Sequence, residues 1–246
     1  MLLWPWPGVI AHRCGGALAP ENTLAGLAIA ARLGCTAVEF DVMLSQDGVP
    51  VLIHDETLDR CAISSGRVAG ISAERLMATD VGVRFHPAFA GETIPSLAAA
   101  LQRCRQLGLA ANLEIKPAAG FEVETGRVVG RLLGSLRSDE RPALLLSSFS
   151  DRALEAAALE AAELPRGWLA GAFDADALDT ALRLGCTSLN LALDGLDAAH
   201  VAAARAAGLR ALVYTVNSLS DARRLIGWGV SGVFTDRPDL LLDAIH

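Results

Sequence analysis

The chain has 246 residues, and its composition of 52% hydrophobic and 20% charged residues is typical of a well-packed globular protein with little disorder. A formal net charge of −7, with scattered lysines and arginines, argues against a nucleic-acid surface, and the apolar start at 1–11 is too short for stable membrane insertion. Five cysteines without a C-x-x-C spacing disfavour a disulfide framework and a zinc site, so we expect a cytoplasmic location.

Apolar runs and helix-period segments alternate along the chain. The runs 8–11 and 36–38 flank a helix predicted at 22–33, and a third run lies at 49–53. Further helices are predicted at 96–107, 122–136, 151–162, 175–184, 198–207, 219–228 and 239–245. Strands buried on both faces are predicted between them at 110–116, 143–149, 167–171, 187–191, 211–216 and 232–235. With the two early strands this makes eight strand–helix units, the count of a closed (β/α)8 TIM barrel.

One short sequence occurs twice, half a barrel apart. Arg-Leu-Gly-Cys-Thr at 32–36 recurs at 183–187 and marks a helix end followed by a strand start in both places. Aligning the two copies places Asn190 where Glu39 stands. The second half of the barrel is therefore predicted to lack matching carboxylates.

Residues 56–94 interrupt the alternation and join the second strand to its helix. Long segments of this kind in compact domains are usually functional or disordered. We interpret this one as a partly ordered flap over the barrel mouth.

Carboxylates stand where two of the apolar runs end. Glu39 and Asp41 are two residues apart, as are Glu114 and Lys116, so each pair shares one face of its strand. A single pair of this kind is more simply explained as solvated loop residues, but two pairs beside strand-end histidines favour a site at the barrel rim. Three carboxylates without a cysteine suit Mg²⁺ or Ca²⁺ better than zinc.

Histidines follow two of the runs, at His12 and His54, and each is a candidate proton carrier. A lone strand-end histidine is more often structural, but two that flank a carboxylate cluster are better explained as an acid and a base. Arg13 and Lys116 then offer fixed positive charge for a phosphate.

Separated motifs extend in order over nearly the whole chain. They are Ile-Ala-His-Arg at 10–13, Pro-Glu-Asn-Thr at 20–23, Val-Glu-Phe-Asp-Val at 38–42, His-Asp-Glu-Thr-Leu-Asp-Arg at 54–60, Leu-Glu-Ile-Lys at 113–116, Tyr-Thr-Val-Asn at 214–217 and Phe-Thr-Asp-Arg-Pro at 234–238. Together they resemble the glycerophosphodiester phosphodiesterase family. Several motifs that agree in order are much more specific than any one of them.

The resemblance implies a single TIM-barrel domain over 1–246, with 56–94 as the family's insertion. It implies a divalent cation held by Glu39, Asp41 and Glu114. It also implies acid and base histidines at His12 and His54, and a phosphate held by Arg13 and Lys116.

Two positions depart from the family pattern. Cys14 stands where the family usually has glycine, and Tyr214 where it usually has tryptophan. Neither change removes a charged group, so both bear on substrate preference more than on activity. Cys14 is expected to narrow its loop or to expose a thiol near the site.

Weaker candidates remain at the rim and at helix starts. The possible rim residues are Glu21, Phe149, Trp168, Asn190 and Tyr214, and for Phe149 and Trp168 barrel packing is the favoured alternative. Asn22 and Asn217 are interpreted first as helix N-caps. Residues 236–238 are interpreted as the residues that close the final turn.

The leading hypothesis is metal-dependent hydrolysis of a small-molecule glycerophosphodiester to sn-glycerol 3-phosphate and an alcohol. His12 is favoured as the acid and His54 as the base, acting on water or on the glycerol 2-hydroxyl. The alternatives are a phospholipase-type phosphodiesterase and a non-catalytic barrel that binds phosphorylated metabolites. The sequence leaves open the headgroup, the choice between Mg²⁺ and Ca²⁺, and the oligomeric state.

Overall fold

Eight parallel strands pair side by side and close into a ring in the computed structural model, which describes residues 4–242. The strands are β1 (Val9–Ala11), β2 (Ala37–Leu44), β3 (Pro50–Leu52), β4 (Ala110–Ile115), β5 (Leu144–Ser148), β6 (Arg166–Ala170), β7 (Ser188–Ala192), β8 (Arg210–Tyr214) and β9 (Gly232–Thr235). β1 pairs with β9 on one side and with β2 on the other, which closes the ring. The predicted TIM barrel is confirmed.

The strand β3 lies outside this ring. It runs antiparallel to the far end of β2, with Val42 opposite Leu52 and Leu44 opposite Pro50. β2 is therefore longer than the apolar run at 36–38 predicts, because it continues through Glu39 and Asp41. Both carboxylates lie inside a strand rather than in a loop beyond it.

Helices cover the outside of the barrel. They are α1 (Leu24–Leu33), α2 (Ala73–Met77), α3 (Gly82–Phe85), α4 (Leu97–Leu107), α5 (Glu122–Ser135), α6 (Asp151–Glu160), α7 (Ala175–Arg183), α8 (Ala198–Ala206), α9 (Leu219–Trp228) and α10 (Pro238–Leu241). The last predicted helix extends to 245, and its end at 243–245 lies outside the described residues. None of the helices within 4–242 is long and apolar enough to cross a membrane.

Local signals set where α1 begins and ends. The Thr23 side chain accepts a hydrogen bond from the backbone N–H of Gly26, so Thr23, and not Asn22, is the N-cap. Gly34 ends the helix with a φ of 93°, a left-handed conformation that glycine adopts without a steric cost from a Cβ. β2 then starts within a few residues.

Apolar side chains fill the barrel at the end where the strands begin. Ala37 and Ala110, the first residues of β2 and β4, belong to this cluster, and Trp4 packs against them from the N-terminal segment. The other large members are Ile10, Leu145, Leu212 and Phe234. This end is closed by apolar packing, and the carboxylates of Glu39, Asp41 and Glu114 lie further along β2 and β4.

The segment 56–94 has a small core of its own. α2 and the short 3-10 turn Val68–Gly70 pack over the β2–β3 hairpin, and α3 lies next to a second 3-10 turn, Pro87–Phe89. The buried members of this core are Met43, Val51, Ile53, Leu58, Ala62, Val68, Leu76, Val81, Ile94 and Ala118. The segment is thus a packed unit seated on the hairpin, and its role as a flap over the mouth stays a prediction.

Candidate active site

Three carboxylates meet inside the barrel near the ends of β2 and β4. Asp41 stands opposite Glu114 in the strand register, and Glu39 lies two residues before Asp41 on the same face. One oxygen from each residue lies within 4.8 Å of the others, and all three side chains are buried. The structure therefore brings the predicted metal ligands together.

The electrostatics of this cluster favour a bound cation. Burial and the neighbouring carboxylates raise the pKa of Glu39 well above its ordinary value, and burial together with Asp41 raises the pKa of Glu114 to about 7. Glu39 Oε1 is buried and has no hydrogen-bond partner among the described residues. An all-oxygen set with an unpartnered carboxylate oxygen fits a hard divalent cation, so these three residues could hold one.

Asn22 fixes the orientation of Asp41. Its Nδ2 donates to Asp41 Oδ2 at 2.8 Å, and its Oδ1 accepts from the Asp41 backbone N–H at 3.0 Å. Asn22 has a φ of 56°, a left-handed conformation that asparagine tolerates better than most residues. The interpretation of Asn22 as a helix cap is therefore wrong, and its side chain belongs to the site.

His12 forms a dyad with Asp236. Its Nδ1 lies 2.7 Å from Asp236 Oδ1, and its Nε2 lies 3.9 Å from Glu39 Oε2. Asp236 is held in turn by Asn217, whose Nδ2 donates to Asp236 Oδ2 at 3.0 Å and whose Oδ1 accepts from the Asp236 backbone N–H at 2.8 Å. Ser218, and not Asn217, caps α9. Asp236 thus does more than close a turn, because it orients the histidine.

His54 forms a second dyad, with Asp55. Its Nδ1 lies 2.6 Å from Asp55 Oδ1 and its Nε2 lies 2.8 Å from Lys116 Nζ. Although burial disfavours the ammonium, Glu114 and Asp41 raise the pKa of Lys116, so it is a charged donor. Since an ammonium has no acceptor, Nε2 of His54 accepts and Nδ1 carries the proton toward Asp55. Burial lowers the pKa of His54, which keeps the ring neutral.

Lys116 also contacts the carboxylate cluster, at 3.2 Å from Glu114 Oε1 and 3.5 Å from Asp41 Oδ1. Burial opposes ionisation of Asp41, but Lys116, His54 and the bond from Asn22 outweigh it and lower the pKa of Asp41. Asp41 is therefore charged, whereas Glu39 and Glu114, whose pKa values are raised, hold a proton more readily. The cluster carries less than its full formal charge when no cation is bound.

Arg13 connects the cluster to the β1–α1 loop. Its backbone N–H donates to Glu39 Oε2 at 2.8 Å, and its Nη1 lies 3.2 Å from both oxygens of Glu21. Its Nε is 3.9 Å from Asp41 Oδ2 and has no hydrogen-bond partner within residues 4–242. The guanidinium thus keeps a free donor beside the cluster.

Cys14 follows Arg13 with a φ of 75°, the left-handed region in which glycine is the usual residue. Its side chain is fully buried in the apolar core between β2 and the helices, and burial raises the pKa of the thiol. The expectation of an exposed thiol near the site is therefore wrong. Cys14 thus keeps a backbone conformation that suits glycine, and its side chain lies in the apolar core.

The candidate rim residues lie in different places. Phe149 and Tyr214 meet edge to face at the mouth, with ring centroids 5.9 Å apart, and the Tyr214 hydroxyl donates to the Ala170 carbonyl oxygen at 2.9 Å. Asn190 is fully buried inside the barrel, where it accepts from the Ser188 hydroxyl. Trp168 packs with the apolar cluster beneath α7 and α8, so it faces the helices and not the mouth.

A family model described as the Glycerophosphoryl diester phosphodiesterase family matches residues 12–240. The chain belongs to this family. A glycerophosphodiester phosphodiesterase of Caldanaerobacter subterraneus subsp. tengcongensis is 32% identical over 241 residues, which cover 97% of each chain. Family membership confirms the resemblance drawn from the motifs and the expectation of an enzyme that cleaves phosphodiesters.

Solved structures of glycerophosphodiester phosphodiesterases share the fold. A phosphodiesterase of Oleispira antarctica, in complex with the product sn-glycerol-3-phosphate, has a TM-score of 0.93 and 36% identity, covering 97% of this chain and 96% of that chain. A glycerophosphodiester phosphodiesterase of Agrobacterium tumefaciens has a TM-score of 0.75 and 27% identity, covering 99% of this chain and all of that chain. The similarity therefore extends over the whole barrel.

Proposed function

We propose that this chain hydrolyses glycerophosphodiesters to sn-glycerol 3-phosphate and an alcohol, using histidine acid/base catalysis assisted by a divalent cation. The observation that carries the proposal is the pair of His–Asp dyads on either side of one buried carboxylate cluster. The phosphodiesterase of Oleispira antarctica, 36% identical and in complex with sn-glycerol-3-phosphate, supports the assignment of the product.

Glu39, Asp41 and Glu114 are the proposed holders of Mg²⁺ or Ca²⁺, which when bound would supply a Lewis acid to a phosphate oxygen. Arg13 and Lys116 are proposed to hold the remaining phosphate oxygens. The positions of both residues suit phosphate binding, because Arg13 Nε has no hydrogen-bond partner within the described residues and Lys116 lies between the carboxylate cluster and His54. Fixed donors of this kind stabilise the negative charge that grows in a phosphoryl transition state.

His54 is the proposed general base. Its Nδ1 proton is committed to Asp55, so the lone pair on Nε2 is the one that can accept a proton from water or from the glycerol 2-hydroxyl. Attack by the hydroxyl would give a cyclic phosphate, which water would then open to sn-glycerol 3-phosphate. The lowered pKa of His54, caused first by burial, supports a neutral ring at working pH. Approach of the phosphate to Lys116 would free Nε2 from the ammonium.

His12 is the proposed general acid. It lies between the carboxylates of Asp236 and Glu39, with Nδ1 at hydrogen-bond distance from Asp236 and Nε2 3.9 Å from Glu39 Oε2. A proton on Nε2 could then pass to the alkoxide of the departing alcohol, while Asp236 holds the ring in place. This arrangement puts the acid on the β1 side of β2 and the base on the β4 side.

The proposed substrate is a small-molecule diester and not a nucleic acid or an intact membrane lipid. The formal net charge of −7 gives little attraction to polyanionic or anionic surfaces. All five cysteines are unpaired in the part of the chain that the structure describes, which suits a reducing compartment, and the cytoplasm is the proposed location.

The test is release of sn-glycerol 3-phosphate by purified protein from a panel of choline, ethanolamine, glycerol and inositol glycerophosphodiesters, with Mg²⁺ or Ca²⁺ present. Turnover of the panel without turnover of intact phospholipid vesicles is the expected result. Preference for the vesicles would favour the phospholipase alternative. A panel without any turnover would favour the non-catalytic barrel.

A further inference from the structure

Arg60 belongs to the insertion and yet reaches the catalytic side of the barrel, where it contacts Asp55 and Glu21. We propose that Arg60 is a positioning residue, which fixes His54 through Asp55 and Arg13 through Glu21. The inference rests on the proposed function of those two groups. It gives the insertion a defined task in aligning the site.

The first arm of this arrangement runs to the proposed base. Arg60 Nε donates to Asp55 Oδ2 at 2.6 Å, while the other oxygen of Asp55 lies 2.6 Å from His54 Nδ1. Asp55 therefore has one oxygen committed to each neighbour and cannot rotate without breaking one of the two contacts. Although burial opposes ionisation, the hydrogen bonds from Arg60 and His54 lower the pKa of Asp55 to about 2, so the carboxylate is charged at neutral pH.

The second arm runs to the proposed phosphate ligand. Arg60 Nη2 donates to Glu21 Oε1 at 2.7 Å, and Nη1 donates to Glu21 Oε2. Glu21 also lies 3.2 Å from Arg13 Nη1, so this carboxylate is shared by two guanidinium groups. Burial opposes ionisation of Glu21, but Arg60 and Arg13 outweigh it and lower the pKa of this residue.

The contacts of Arg60 depend on the planar, forked shape of its guanidinium group. Nε of Arg60 serves one carboxylate and its two terminal nitrogens serve the other, in directions fixed by one plane. Glu21 lies on the loop after β1 and Asp55 on the loop after β3, so one side chain ties together the two loops that carry the proposed groups. A lysine is a point charge and cannot make these contacts at once.

Arg67 offers a matched control in the same segment. It pairs with Glu56 at 3.1 Å, its side chain is 74% exposed, and the described structure gives it no contact with either histidine. Arg60→Met is expected to lower kcat by about 10- to 100-fold, the range typical of groups that orient a catalytic residue. Arg67→Met should leave kcat unchanged, Arg60→Lys should recover only part of the loss, and added guanidinium ion should partly rescue a smaller variant, Arg60→Ala.

A double variant separates positioning from general destabilisation. If Arg60 acts through Asp55, the loss from Arg60→Met should be much smaller in an Asp55→Asn background than in the wild type. Losses that multiply would overturn the inference. So would unchanged kcat in Arg60→Met, or a loss that neither guanidinium ion nor lysine recovers.

A readout without turnover keeps this inference distinct from the proposed function. The 15N NMR signals of the His54 ring, assigned with a His54→Gln variant, should show a proton on Nδ1 and should move in Arg60→Met but not in Arg67→Met. Unmoved signals would overturn the role of Arg60 even if the wild type is active. If the signals move in Arg60→Met and the wild type shows no diester turnover, the positioning role is supported and the proposed function is rejected.

Discussion

Lys116 Nζ lies 2.8 Å from His54 Nε2, so the cation proposed to bind phosphate occupies the lone pair of the proposed base. Lys116 also faces Glu114 and Asp41, which compete for the same ammonium. A phosphate that draws Lys116 toward itself would uncover Nε2 at the moment when a proton must be removed. Substrate binding and activation of the base are thereby linked through one side chain.

This link predicts a shift in the pH dependence of the Lys116→Met variant. The base must be neutral, so kcat/KM falls as pH drops through the pKa of His54, which burial and, secondarily, Lys116 and Arg13 hold below its ordinary value of 6.5. Removing Lys116 removes a cation that lowers this pKa. The acidic limb of kcat/KM is therefore expected to move to higher pH, together with a loss of about 10²–10³-fold in kcat from the missing phosphate donor. An acidic limb that stays in place would contradict the contact.

The two histidines should each be needed for turnover. His12→Gln and His54→Gln are expected to lower kcat by about 10²–10⁴-fold, the contribution typical of one proton-transfer group. The double variant should lose much less than the product of the two single losses, because the acid and the base act together in cleavage of the same bond. His86→Gln, in the insertion, serves as the control. Near-wild-type kcat in either single variant would remove that histidine from the mechanism.

The barrel could be predicted because its strands and helices leave separate periodic signals. Strands buried on both faces give continuous apolar runs, and the helices between them end at glycines such as Gly34 and Gly229. The role of β3 could not be predicted in the same way, because the run at 49–53 looks like any buried strand. Only its partner, the extension of β2 beyond Asp41, shows that it lies outside the ring.

Glu39 and Asp41 lie inside β2, and His54 follows the antiparallel β3. Because His12 and Lys116 follow parallel strands, whose ends meet at one edge of the barrel, this part of the site was predictable. The residues that orient the site were not. Asp236 and His12 are 224 positions apart, and no local pattern joins them. Asn22 and Asn217 stand just before helices, where asparagine is a favoured cap, so the local sequence predicts caps. In the structure their side chains instead bind Asp41 and Asp236, which are distant in the sequence.

The carboxylate cluster predicts how stability changes with pH when no cation is bound. The raised pKa values of Glu39 and Glu114 mean that the folded state binds protons more tightly than the unfolded chain does. Both contributions to the free energy of unfolding are full below the ordinary value of 4.5. That of Glu114 is lost as pH rises through about 7, and that of Glu39 is lost as pH rises through its own raised pKa. Asp41, whose pKa is lowered, changes its contribution only below its ordinary value of 3.8.

In EDTA, Tm is therefore expected to fall from about pH 5 to about pH 8, and Mg²⁺ or Ca²⁺ should raise Tm more at the higher pH, where the ligands are ionised. Glu39→Gln should flatten the dependence on pH and weaken the effect of the cation. Glu155→Gln, which alters an exposed ion pair with Arg183, is the control. A Tm that rises with pH in EDTA would contradict the raised pKa values of Glu39 and Glu114.

Replacing Asp236 is expected to lower turnover, because this carboxylate orients His12. In Asp236→Asn the amide can donate to His12 Nδ1, which would leave the proton on Nε2 in the neutral ring and remove the carboxylate that balances the protonated ring. A loss of about 100-fold in kcat is expected, within the upper range for partners that orient catalytic groups. Asp239→Asn is the matched control, because Asp239 lies three residues further on, in the first turn of α10, and pairs with Arg237 at 2.7 Å. Equal kcat values for these two variants would show that the contact between Asp236 and His12 does not serve catalysis. A His12→Gln background should also abolish most of the difference between them, since Asp236 is inferred to act through that ring.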